Sequence, residues 1–323
     1  MTAITADQIA VICPTKDQPK KVERLLDCLV ASDLEPAQVL IADGGHNLKP
    51  VTAPYENLLN LRCLYCPDPG QILQRNYAHR HLDPGIKLVM HLDDDITFPP
   101  GTLGKMLDYW NANAATGDKP LAGASFNLMD VAAVRNSIFR KMMFLSTEPR
   151  GHVSKAGYAA PFCPATTTHD VEWLLGGATV WRRDIIDSHR HPMSFPTRWA
   201  VCEDLMFSYP LRTSHRMAVV HDAEMFHNDT YRQMSFRQGM FYGVSSVIMR
   251  YHFTRQHSAL SSLAFIWMTL GVLAGQLARG LMGSRRHLGL FTGGMEGLLR
   301  AVGNRLSNGD STPLAKSLAR RKR

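Results

Sequence analysis

The chain has 323 residues, 45% of them apolar, which allows one large α/β domain with an appendage and excludes a disordered chain or a small disulfide-held scaffold. Lys and Arg exceed Asp and Glu by 36 to 28, a formal net charge of +8, and the excess gathers late, from Arg279 to Arg286 and from Arg320 to Arg323. A basic end suits an acidic membrane surface or nucleic acid, but no zinc-finger, helix-turn-helix or RNA-recognition pattern accompanies it, so nucleic acid is not the expected partner.

Ile9 to Cys13 reads as a buried strand stopped by Pro14, and Lys20 to Ala31 as a helix, with apolar residues at Val22, Leu25, Leu26, Leu29 and Val30 in helical spacing. Val39 to Ala42 is a second strand, running into Asp43-Gly44-Gly45, and Leu61 to Cys66 a third. Cys63 and Cys66 have C-x-x-C spacing, but no second ligand pair follows, so all six cysteines read as reduced thiols. Gln71 to His81 suits a helix, Lys87 to Leu92 a fourth strand, and Thr102 to Asn113 another helix opened by Pro99 and Pro100. This alternation predicts a mostly parallel sheet covered by helices, with ligands bound beyond the carboxyl ends of its strands.

The middle is less regular. Leu121 to Leu128 reads as a strand, Arg135 to Ser146 as a helix or a flap, and Glu148 to His169 as a loop that closes over substrate. Strand character resumes over Val171 to Val180, Cys202 to Arg212 looks helical, and Arg216 to Val220 is a last strand. The expected division is a catalytic domain over 1–230 and a helical region over 231–323. Within the latter, Ser258 to Ala278 lacks Asp, Glu, Lys and Arg. Its serines, threonines, glycines and glutamine favour an interfacial or buried helix over a membrane span. No secretory signal opens the chain, so a cytoplasmic protein peripheral to the inner membrane face is expected.

Three carboxylates, Asp93, Asp94 and Asp95, end the fourth strand. Crowded there they repel one another unless a cation sits between them, and strand alternation would send Asp93 and Asp95 to one side. Such oxygen ligands suit Mg²⁺ or Mn²⁺ shared with phosphates; an acidic helix cap is the plainer alternative. The run Leu92-Asp93-Asp94-Asp95 resembles the D-x-D motif of inverting glycosyltransferases of family 2, which have the glycosyltransferase-A fold. Other segments resemble that family in order: Pro14-Thr15; Ile41 to Gly45, with Ala42 and His46 departing from the usual residues; Gly70 with Arg75-Asn76-x-Ala78; Leu175-Gly176-Gly177-Ala178; and Glu203-Asp204.

The resemblance implies a donor pocket formed by Pro14, Thr15, Lys16, Asp43, Gly70, Arg75, Asp93 and Asp94, with Asp94 a possible ribose contact. Asp93, Asp95 and His227 are the expected metal ligands, with His221 as the alternative histidine. Asp204 is the expected base that takes the acceptor's proton, and Glu203 its nearest rival. Arg75 suits a diphosphate or the carboxylate of Asp93. Gly176 and Gly177 would let backbone approach sugar or acceptor, and Trp173 and Trp181 would stack on a sugar or belong to the core. Arg232 and Arg237 are further candidates for the diphosphate.

The function implied is a Mn²⁺- or Mg²⁺-dependent transfer from a UDP-, GDP- or dTDP-sugar to a saccharide or lipid-linked hydroxyl, in envelope, exopolysaccharide or glycolipid synthesis. A nucleotidyltransferase is the alternative enzyme, but Cys13 to Lys16 lacks that class's glycine-rich loop. An inactive membrane-associated nucleotide-sugar-binding protein is the non-enzyme alternative.

Overall fold

A computed structural model describes residues 3–45, 48–132, 134–189, 201–228, 234–307 and 309–318. His46, Arg232 and the end of the basic tail, 319–323, lie outside the described residues. The strands are β1 (Ile9–Thr15), β2 (Gln38–Asp43), β3 (Leu61–Tyr65), β4 (Leu88–Leu92), β5 (Ile96–Thr97), β6 (Leu121–Leu128), β7 (His169–Asp170), β8 (Ala178–Arg182) and β9 (Arg216–His227). The helices are α1 (Pro19–Val30), α2 (Lys49–Thr52), α3 (Gln71–His79), α4 (Thr102–Asn113), α5 (Ile138–Met142), α6 (Arg183–Ser188), α7 (Glu203–Ser208), α8 (Phe236–Gln256), α9 (Ser262–Leu281), α10 (Arg285–Leu306) and α11 (Thr312–Lys316).

The chain divides into two compact units. The first, 1–133 with 162–192 and 203–229, carries the sheet, whose order is β3-β2-β1-β4-β8-β6-β9-β5, with β7 beside β9. Pairing is parallel from β3 through β4 and between β6 and β9, and antiparallel where β8 sits between β4 and β6. Every residue of β1, β2, β4 and β6 is buried, as expected where helices cover both faces of a sheet. Val22, Leu25, Leu26 and Leu29 form the buried stripe of α1, whose first residue is Pro19. A proline suits that position because the N–H it lacks has no helical acceptor there.

The sequence and the fold differ in places. β1 continues through Pro14 to Thr15. Its pairing with β4 reaches only Ile12, so beyond it β1 has β2 on one side alone, where a missing N–H is tolerated. β9 runs to His227, well past Val220, because β5 and a register shift opposite Phe126 and Asn127 extend its pairing. Strand β8 begins only at Ala178, and Gly176-Gly177 form a bend before it.

The second unit comprises 134–161, 193–202 and 230–323. Its segment 134–161 contains the stretch read as a flap. Here Leu145 and Ala156 share a buried cluster with Tyr251 of α8, Phe265 and Met268 of α9, and Ala301 of α10. Only Ile138–Met142 of the expected helix over 135–146 is helical. None of the six cysteines forms a disulfide.

Candidate active site

The topology decides which residues meet. Parallel register sets Thr15 beside Asp43, and Ile12 beside His91, so the carboxyl ends of β1, β2 and β4 share one edge. Strand β8 runs the other way, with Ala178 beside Leu92, so its amino end and Gly176-Gly177 arrive at that same edge. The pairing of β5 with β9 sets Ile96 opposite His227 and brings that histidine to Asp95.

Asp93 to Asp95 lie beyond the end of β4, the last two in a turn, so strand alternation does not order them. They fan out to three sets of partners. Asp93 accepts from Arg75 Nη2 at 2.8 Å and from Gln71 Nε2 at 2.9 Å. Asp94 accepts from Thr15 Oγ1 at 2.5 Å. Asp95 lies 2.9 Å from Lys21 Nζ and 3.1 Å from His227 Nε2. Burial raises the Asp94 carboxyl to about 6 despite the Thr15 bond and Lys21. Burial pushes Asp95 up as well, but the bonds from His227 and Lys21 outweigh it and hold that carboxyl down to about 2.

Arg75 is fully buried. Besides its bond to Asp93, its Nη1 lies 3.9 Å from Asp204 Oδ1, so one guanidinium serves the carboxylates of two elements. Burial disfavours its charge, yet Asp93, Asp204 and Glu203 together raise its pKa above the ordinary value. Glu203 and Asp204 open α7. Burial and the neighbouring Asp204 push Glu203 well above the ordinary range. Burial and Asp93 raise Asp204 too, and Arg75, a bond from Glu203 and the Gly176 N–H offset this only in part. Both carboxyls of the pair are thus held above the ordinary carboxylate range, Glu203 by its burial and the adjacent Asp204.

Gly176 and Gly177 are needed where they stand. A Cβ on Gly176 would collide with Asp204 Oδ1 and lie 2.7 Å from Arg75 Nη1. One on Gly177 would collide with the carboxylate of Asp93, whose own N–H donates to the Gly177 carbonyl at 2.8 Å. The close approach these glycines allow is thus to two carboxylates. Trp173 is half-buried and meets Phe162 edge-on at 5.2 Å, while Trp181 is core.

On the donor side, Thr15 and Asp43 are buried and Lys16 is exposed. Asp43 Oδ1 accepts from the Gly45 N–H at 2.7 Å, and Thr15 O from the Gly44 N–H at 3.0 Å. Pro14 is buried in β1, and Gly70 caps α3 with its N–H donating to Gln74 Oε1 at 3.0 Å. His221 lies earlier on β9 and bonds Thr168 at 3.0 Å. Arg237 belongs to α8 in the second unit.

Three participants escaped the sequence reading. Lys21 reaches Asp95 from the first turn of α1. Gln71 bonds Asp93. Gln74 is buried and donates to the carbonyls of Thr15 and Ala42 at 2.6 Å each, tying α3 to the ends of β1 and β2. The available signal was the helical spacing of Gln71, Gln74 and Arg75, which puts all three on one face.

Among the described residues no group of three His, Cys, Asp or Glu is gathered as a metal cluster. Asp93 is turned to Arg75 and Gln71, away from the expected set. Asp95 and His227 remain an oxygen–nitrogen donor pair of the kind Mn²⁺ accepts, and the ammonium of Lys21 already places one cation on Asp95.

Residues 10–147 match the model of the family described as Glycosyl transferase family 2. No curated protein matches the chain by sequence. The solved structure of residues 1–349 of TarS from S. aureus is similar in fold, with TM-score 0.57, 14% identity, and coverage of 98% of this chain and 92% of that one. So is the mannosyltransferase PcManGT from Pyrobaculum calidifontis, solved in complex with GDP-Man and Mn²⁺, with TM-score 0.53, 13% identity, and coverage of 95% and 90%. The family match covers residues 10–147, and together with the similar fold and the carboxylates at the sheet edge it identifies this part of the chain as resembling a family 2 glycosyltransferase domain.

Proposed function

We propose that the chain moves a sugar, with inversion, from a nucleotide-diphosphate donor to a hydroxyl of a saccharide or lipid-linked acceptor. The observation that carries this reading is the pairing of Asp93 and Asp204 across one buried arginine, with glycine backbone where side chains would block it. Asp204 accepts the acceptor's proton while Glu203 stays protonated beside it. A hydroxyl is a weak nucleophile at neutral pH, so a placed carboxylate is what the transfer requires. Thr15, Lys16 and Asp43 flank the nucleotide at the ends of β1 and β2, and Arg75 positions Asp93 and Asp204 from within.

Asp95 and His227 would hold the divalent cation, Mn²⁺ or Mg²⁺, which when bound offsets the charge that develops on the leaving diphosphate. Support for a nucleotide-sugar donor comes from the family match and from the similar mannosyltransferase bound to GDP-Man and Mn²⁺. The proposed setting is the cytoplasmic face of a membrane, in envelope, exopolysaccharide or glycolipid synthesis.

The test is turnover and binding of a panel of UDP-, GDP- and dTDP-sugars with Mn²⁺. Asp204→Asn keeps donor binding and loses transfer. Binding of none of the panel would sink the donor reading, and transfer retained by Asp204→Asn would move the base elsewhere.

A further inference from the structure

Helix α9 has two apolar faces. Phe265, Met268 and Leu273 are buried, with Leu273 Cδ2 where a Cβ on Gly294 of α10 would come within 2.5 Å. The other face leaves Leu263, Trp267 and Leu270 uncovered at the i, i+4, i+7 spacing of one helical stripe, Leu263 being 62% exposed. Short helix α5 adds Ile138, Phe139 and Met142, and Ile138 is 80% exposed. The two elements are joined: Trp267 Nε1 donates to the Met142 carbonyl at 2.9 Å, and Met143 packs against Gly271. Their uncovered side chains therefore form one surface, and an apolar surface of this extent marks an interaction site.

Charge identifies the occupant. Over 134–161 and 234–318, fourteen Lys and Arg stand against three Asp and Glu, whereas the whole chain has 36 against 28. Ser258 to Ala278 carries no charge, and Arg279, Arg285 and Arg286 follow at once. A second copy would set like charge against like; an anionic surface complements it. The length and mean hydropathy of α9, 1.3, would suffice for a span. Crossing a bilayer, however, would strip Phe265, Met268 and Leu273 from their packing with the neighbouring helices.

We infer that α5 and α9 together form an in-plane docking face for an anionic lipid bilayer. Ile138, Phe139, Met142, Leu263, Trp267 and Leu270 enter the boundary between headgroups and acyl chains, and the flanking arginines meet lipid phosphate. This inference does not rest on the sugar-transfer reading, because it is read by lipid binding alone.

The full chain is sedimented with phosphatidylcholine vesicles, with and without phosphatidylglycerol, at low and high salt. Binding should be at least about tenfold tighter to the anionic vesicles and weaken with salt. Ile138→Glu and Leu263→Glu alter exposed positions, so melting should stay at the wild-type temperature while partitioning falls by about tenfold or more. Arg279→Gln with Arg285→Gln should flatten the salt dependence. Lipids brominated near the headgroup should quench the wild type more than Trp267→Phe. Absence of vesicle binding, unchanged binding by the glutamate variants, or carbonate-resistant insertion of the wild type would each overturn the inference. So would a dimer, without vesicle binding, that Ile138→Glu converts to monomer.

Discussion

Asp94 and Asp95 are adjacent yet titrate in opposite directions, so their substitution should separate them. Asp94 is raised to about 6 in the fold, so the stability it contributes is complete below about pH 4 and is lost as pH rises toward 6. Asp94→Asn, still able to meet Thr15, should melt above the wild type at pH 7 in EDTA and lose that advantage at pH 4. Asp95 is held down to about 2, so its contribution is present above about pH 4 and lost as pH falls toward 2. Asp95→Asn should therefore melt below the wild type at neutral pH, and thermal melts across this range check both signs. Arg75→Met removes the counter-ion shared by Asp93 and Asp204. It should cost about 3 kcal/mol of stability, measured by denaturant unfolding, and abolish transfer. Gly177→Ala forces Asp93 to move, so activity should fall by about two orders of magnitude while the fold persists.

At the scale of elements, α8 and α10 meet backbone to backbone. A Cβ on Gly293 would collide with the Met240 carbonyl, and one on Gly243 would lie 2.6 Å from the Leu290 carbonyl. Alanine gains up to about 1 kcal/mol of helix propensity over glycine, but backbone cannot yield as a side-chain tip can. Gly293→Ala should therefore destabilise by about 1–3 kcal/mol. Gly303, on the same helix with nothing within 4 Å, gives the opposite expectation: Gly303→Ala should stabilise by about 0.5–1 kcal/mol. Thermal melts of the two variants compare one substitution in one helix under two environments.

For the molecule as a whole, the proposed donor and cation join residues from β1, β2, α3, the turn after β4, and β9. Mn²⁺ with a nucleoside diphosphate should raise the melting temperature, by about 2.7 kcal/mol of stabilisation at a hundredfold excess over Kd. Asp95→Asn should abolish the part that depends on Mn²⁺. A shift unchanged in that variant would remove Asp95 from the cation site.

The sequence by itself determined the alternation of strands and helices, the mostly parallel sheet and the family likeness. Buried strands such as β2 and β4 are short apolar runs, α1 has a 3.6-residue apolar stripe, and both patterns follow from local geometry. Asp93 to Asp95 stood out as acidic residues ending an apolar strand, and the family resemblance singled out Gly176-Gly177 and Glu203-Asp204. Only the tertiary structure decided how these groups pair. A turn after Leu92 cancelled strand alternation and gave three adjacent carboxylates different hydrogen-bond partners. Antiparallel insertion of β8 brought its glycines to the edge where β1, β2 and β4 end. Burial made Arg75 an internal bridge between Asp93 and Asp204. Lys21, Gln71 and Gln74 act across separations of up to 74 residues, as between Lys21 and Asp95. Local patterns cannot encode such contacts, because they depend on which strand ends the sheet places side by side.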